Sequence, residues 1–198
     1  MPYKINLPLV GSTGTRKKVV IDENNDLFID VSRVGSFVQI SSFPGSRSGY
    51  TSGGNTATTG STVTNTIDKF PFSTNANATD VGDLTVARGD IHSGQSSTEN
   101  GYSSGGLIGP PLVTQNVIDK FSFASDANAT DVGNTTAAKQ DVSGQSSIDN
   151  GYSSGGGTGN APAPILNIIE NFPFSSDANA TDVGDLTASR RDTTGQQV

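Results

Sequence analysis

The segment that opens at Asn65 returns at Asn116 and again at Asn167, a step of 51 residues each time (116−65 and 167−116). The copies read NTIDKFPFSTNANATDVGDLTVARGD, NVIDKFSFASDANATDVGNTTAAKQD and NIIENFPFSSDANATDVGDLTASRRD. A period of that size marks a supersecondary unit set side by side with its copies, each burying a face of the next. A unit copied intact carries architecture, so the repetition argues against a single catalytic centre.

Composition narrows the kind of unit. Hydrophobic residues make up 32% of the chain and charged residues 16%, against about 45–50% and about 25% in ordinary globular domains. Gly, Ser, Thr, Asn and Asp fill the gap, which is turn chemistry and suits short strands. Disorder is disfavoured because each copy keeps a compact apolar set, Ile67, Phe70, Phe72, Val81 and Leu84 in the first. The net charge is −7 and the 12 basic residues are scattered, so no stripe exists for a nucleic acid. Without cysteine there is no disulfide and no thiolate metal site. No run approaches the roughly 18 apolar residues of a membrane span, and MPYKINLPLV lacks the features of a signal peptide. These features predict a product made in a cytoplasm, with no membrane insertion.

Residues 1–48 differ from the rest. Lys17–Asp22 and Leu27–Val31 are β-rich runs around Glu23-Asn24-Asn25-Asp26, which predicts a hairpin. Val34–Ile40 is a third candidate strand, and Met1–Gly14 is expected to run extended along a neighbour. This part reads as a small N-terminal β anchor. Residues 49–198 form the array. Each unit opens on a Gly-Tyr strand (Gly49-Tyr50, Gly101-Tyr102, Gly151-Tyr152) that ends in Gly-Gly, followed by a variable linker such as Leu107–Gln115. Then come the β-like Ile-Asp-Lys-Phe-Pro-Phe run and an Asn-Ala-Thr-Asp turn leading into a further short strand. Gly94-Gln95-Ser96-Ser97 and its copy from Gly144 close the unit. Three or four strands of about five residues per unit are expected.

The order Arg88, Gln95-Ser96-Ser97, Gly101–Gly106 and Ile118-Asp119-Lys120-Phe121 resembles the kelch repeat, in which a glycine pair ends an inner strand and a hydrophobic-Asp pair and an aromatic follow. The likeness covers roughly residues 49–198. It implies four-stranded antiparallel propeller blades, about three units here. It departs at the Trp usual in kelch, since this chain has none and Phe70, Phe121 and Phe172 would stand in. The wording of the repeat is also similar to repeats of predicted tail-fibre and other virion proteins of marine bacteriophages, the cyanophage type. The expected class is therefore all-β, with a trimeric β-rich fibre as the alternative.

Three units fall short of the 4–8 blades of a propeller. The array also opens on the Gly-Tyr strand and reaches Gly195-Gln196-Gln197-Val198, which reads as the strand preceding another such motif. An unpaired edge invites association. Either Val38–Ser42 supplies the missing strand or another chain does, and the second is favoured, since a lone copy buries a thin core. A homo-oligomer is expected.

The candidate chemistry is modest. Asp126, Asn128, Asp131 and Asn134, like Asn75, Asn77, Asp80 and Asp83, gather the oxygens calcium prefers. Their spacing is not that of an EF-hand, and turn capping is the favoured reading. Arg88-Gly89-Asp90 spells a cell-adhesion tripeptide, yet Lys139-Gln140-Asp141 and Arg190-Arg191-Asp192 show that the register asks only for base-any-acid. The recurrent cation is expected to pair with an acid of an adjacent unit, contributing about a kcal/mol or less if exposed. Asn77, Asn128 and Asn179 match the glycosylation pattern but read as polar turns. Tyr50, Tyr102 and Tyr152 would stack on sugars if exposed, and on the next unit if buried. His92 is the only histidine, and no catalytic set assembles around it.

No catalytic residue, metal site or cofactor is assigned, and the chain is read as not an enzyme. The expected function is a bacteriophage virion structural protein, such as a tail fibre, tail or capsid-decorating component. Made in the host cytoplasm and located in the virion, it would bind other virion proteins through residues 1–48. The alternative is an adhesin module for a host receptor or glycan, using loops of the array.

Overall fold

The structure is a computed structural model. It describes residues 47–56, 62–91, 93–159 and 162–197, and the strand backbones of residues 4–5, 19–21, 27–30 and 37–41. The chain divides into two units, Met1–Ser46 and Arg47–Val198. Both are built from antiparallel sheets, and among the described residues there is no helix.

In the first unit, β1 (Lys4–Ile5), β2 (Val19–Ile21), β3 (Leu27–Asp30) and β4 (Phe37–Ser41) form one sheet in sequence order. Val19 lies opposite Ile29 and Ile21 opposite Leu27, the pairing expected of the hairpin, while its connecting residues 22–26 lie outside the described residues. Lys4–Ile5 adds an outer strand within the start of the chain. Residues 37–41 pair with β3, so this segment is used inside its own sheet.

The second unit holds three sheets of matching design. The first contains β5 (Ser48–Ser52), β6 (Thr66–Pro71) and β7 (Thr79–Asp83). The second contains β8 (Gly94–Ser96), β9 (Asn100–Ser104), then, after a two-stranded ribbon of β10 (Leu107–Ile108) and β11 (Val113–Thr114), β12 (Val117–Ser122) and β13 (Thr130–Asn134). The third contains β14 (Ser143–Ser146), β15 (Asn150–Ser154), β16 (Ile168–Pro173) and β17 (Thr181–Asp185). The ribbon occupies what the sequence presents as a linker. Among the described residues the first sheet has three strands and no counterpart of β8.

Local sequence explains the register. Gly49, Gly101 and Gly151 lie directly across from Phe70, Phe121 and Phe172. A Cβ on any of them would run into the ring, so glycine makes room for the phenyl to lie across the neighbouring strand. The Gly-Gly pair closing each Gly-Tyr strand has positive φ throughout, +70° and +112° at Gly105 and Gly106, which other residues rarely adopt. Each central strand carries a bulge just before its acid, between Ile67 and Asp68, Ile118 and Asp119, and Ile169 and Glu170. Bulges of this kind re-aim a side chain.

The apolar core lies between sheets. Ile67 and Leu84 of the first sheet meet Phe121 and Ala129 of the second, with Tyr50, Val81 and Phe123 around them. One step along, Tyr102 and Ile118 meet Phe172 and Ala180, with Val132 and Phe174 alongside. Because side chains alternate across a strand, Ile118 faces forward to the third sheet while Asp119 and Phe121 face back to the first. Burying one such Ile or Phe contributes about 1.5–3 kcal/mol, so each interface is held by a small apolar set repeated in kind.

Candidate functional site

The concentrated polar chemistry of the described residues lies in the two seams between neighbouring array sheets. In the seam between the first and second sheets, Arg88 and Asp119 are both fully buried, and Arg88 Nη1 donates to Asp119 Oδ2 at 2.7 Å. The same guanidinium donates to the carbonyls of Val86 and Ser103. Thr85 completes the cradle, its backbone N–H donating to Asp119 Oδ2 and its hydroxyl to Oδ1. The Ile118/Asp119 bulge turns this carboxylate into position. A buried charge needs such company, since its desolvation costs several kcal/mol.

The seam between the second and third sheets repeats the design with different atoms. Lys139 Nζ lies 2.7 Å from Glu170 Oε1, both buried. Thr136 donates through its N–H and its hydroxyl to Glu170 Oε2. Burial pulls the Lys139 ammonium below the usual lysine range, and the attraction of Glu170 opposes that shift. The cation expected to pair with a neighbouring unit does so at both seams. The pairs are buried, however, and the small energy of an exposed pair does not apply to them.

Exposed ion pairs bridge the turns, Lys69 to Asp126 at 3.0 Å and Lys120 to Asp177 at 2.5 Å. Hydrogen bonding to Asp126 holds Lys69 above its ordinary range. Several of the turn oxygens weighed as calcium ligands have protein partners. Asp80 Oδ1 and Asp131 Oδ1 accept from the N–H groups of Gly82 and Gly133. Asn128 Oδ1 accepts from Asp83 N–H, and Asn179 Oδ1 from Asn134 N–H. Among the described residues no cluster of three His, Cys, Asp or Glu suits a metal ion.

The tyrosines pack. Tyr50 stacks on Phe123 at 5.0 Å between centroids and Tyr102 on Phe174 at 4.9 Å, each reaching the next sheet. Burial raises the Tyr102 phenol above its ordinary range. Tyr152 is half-buried, with no ring partner among the described residues. Arg88 is fully buried, so Arg88-Gly89-Asp90 does not display its cation. His92 lies outside the described residues.

A thread of backbone joins the layers. Asp90, Asp141 and Asp192 all have positive φ, 50°, 58° and 56°, which Asp tolerates better than most residues. Asp141 N–H donates to the Asp90 carbonyl, and Asp192 N–H to that of Asp141. The sequence offered a signal for the buried pairs: an acid at 119 or 170 follows a cation at 88 or 139 by 31 residues (119−88 and 170−139). What this arrangement does chemically is fasten sheet to sheet. Comparison of the chain with protein-family models and with curated proteins finds no match in either.

Proposed function

We propose that the chain is a non-enzymatic structural protein of a bacteriophage virion, a tail fibre, tail or capsid-decorating component held to the particle through residues 1–48. On this reading the array sheets are kelch-like propeller blades. The observation that carries it is the seam chemistry: Thr85, Arg88 and Asp119, then Thr136, Lys139 and Glu170, form cross-sheet fastenings in the same place. Side chains that elsewhere hold substrates here join one layer to the next, as suits a rigid extension. Antibodies to the array, applied to purified particles with mass spectrometry of the same preparation, test the proposal. Labelling of one discrete part of the particle is expected. A protein abundant in infected cells but missing from washed particles would overturn it.

A second reading, a receptor- or glycan-binding module, rests on a different observation. The exposed Asn- and Asp-rich turns of the three sheets lie in a row, tied by Lys69–Asp126 and Lys120–Asp177. A saccharide panel titrated against the full chain, with protection of these turns followed by hydrogen exchange, tests this reading. Unchanged exchange across the panel would remove it.

A further inference from the structure

We infer that the open face of the third array sheet docks head-to-tail on the open face of the first array sheet in a second copy of this chain. The two internal seams show what each face is built to meet. The forward face offers a tyrosine, a threonine and a cation, and the backward face offers a carboxylate and two phenylalanines. On the forward face of the third sheet, Thr187 and Arg190 occupy the places of Thr136 and Lys139, 51 residues on. Arg190 is exposed and its guanidinium donates to the Thr187 hydroxyl, the group that at both internal seams donates to a carboxylate. On the backward face of the first sheet, Asp68 occupies the place of Asp119, and no partner for it exists among the described residues. One face is thus a carboxylate cradle without its carboxylate, and the other carries the carboxylate.

The apolar parts match in the same way. Phe72 is 55% exposed and Val183 51%, whereas their counterparts Phe123 and Val132 pack into the internal seams. A Cβ on Gly82 or Gly133 would strike the backbone at Ala127 or Ala178, while one on Gly184 meets nothing within 4 Å. Ala76 of a second copy fills that space. The exposed ion pair gives an independent clue. Its counterparts on the two open faces are Asn171, in place of Lys69 and Lys120, and Asn75, in place of Asp126 and Asp177. Both partners are neutral where they would meet, so neither charge is stranded.

Strand pairing completes the fit. Ser143 shares a hydrogen bond with Thr193, and Ser146 N–H donates to Gln197 Oε1, as Ser96 N–H donates to Ser146 Oγ, so residues 193–197 lie over β14 in the place of an opening strand, without a strand partner among the described residues. Among the described residues the first sheet has no such opening strand, and β5 pairs there with β6. In the register of Gly94 with Ser103 and Ser96 with Gly101, Gly195 of one copy faces Thr51 of the next. The contact is heterologous, so it closes into a ring or extends as a filament according to its rotation.

The inference does not depend on a virion location, and its test is association of the purified full chain. In sedimentation velocity over a concentration series, the wild type is expected to self-associate. Asp68→Arg or Arg190→Asp should weaken association about 30-fold or more while leaving far-ultraviolet dichroism unchanged, since both side chains sit on open faces. Combining the two reversals restores opposite charge at the contact and should recover association. Asn75→Asp with Asn171→Lys installs the ion pair of the internal seams and should tighten it about 2–5-fold. A wild type that stays monomeric, single reversals that associate normally, or a combined reversal without recovery would each overturn the inference.

Discussion

The two internal seams share a plan but not a cation. At the first, the planar Arg88 guanidinium divides its donors among Asp119 and the carbonyls of Val86 and Ser103, and both Asp119 oxygens accept hydrogen bonds. At the second, Lys139 is a compact charge on a shorter head, and the acid lengthens from Asp to Glu to meet it. Reach is conserved while the donor pattern is not: Lys139 Nζ meets Glu170 Oε1 at 2.7 Å, where Arg88 spreads its donors over a carboxylate and two carbonyls. The difference teaches that a buried seam needs charge balance first and donor geometry second. A further distinction is chemical. A guanidinium cannot shed its proton in a protein, whereas an ammonium can.

The sharpest way to break the comparison is to remove each acid. Asp119→Ala leaves Arg88 buried and charged, and should cost about 3–5 kcal/mol in urea unfolding. Glu170→Ala should cost less, by about 1 kcal/mol or more, because Lys139 escapes by losing its proton and each pKa unit is worth about 1.4 kcal/mol. Equal losses would mean that the two seams respond as one. The same asymmetry should appear with pH. The folded-state pKa of Lys139 lies below its unfolded value near 10.5, so between the two the unfolded chain holds more protons. Stability should therefore rise with pH as it climbs through that window. Measured against Lys139→Met, which shares every other titrating group, the wild type should gain as pH rises towards 10.5. A flat or falling difference would show that the ammonium stays charged. The smallest effect is expected outside the seams. Lys120→Ala should cost less than about 1 kcal/mol, since its pair with Asp177 is partly exposed and screened. A larger loss would place the turns among the chief fastenings.

Much of the fold was legible because it repeats. The 51-residue step located three sheets, and the Gly-Tyr, Ile-Asp and Asn-Ala-Thr-Asp segments all fell on strands or the turns between them. The hairpin around Asn24-Asn25 was readable from turn chemistry. The ribbon of Leu107–Ile108 with Val113–Thr114 was hidden, since Pro110-Pro111 and Gly109 read as linker. The outer strand Lys4–Ile5 was too short to announce itself. At the seams, the recurrent cation was visible and an acid of the neighbouring unit was foreseen. Its burial was not, because burial is decided by what the next sheet lays over it. Asp119 alternates with Lys120 along one strand, and only the bulge and the preceding sheet behind it shelter its carboxylate.

The hydrogen-bonded thread from Asp90 through Asp141 to Asp192 has a consequence for how such a protein changes length. Each link joins a residue to its own counterpart one step away, so a link is indifferent to which copies it joins. A gain or loss of whole steps preserves every link, while one-residue differences are taken up in the loops, since the Gly-Tyr strands open at Gly49, Gly101 and Gly151, 52 (101−49) and 50 (151−101) residues apart, and the links still form. Addition of layers should therefore come in whole steps, a quantised elongation written into the backbone.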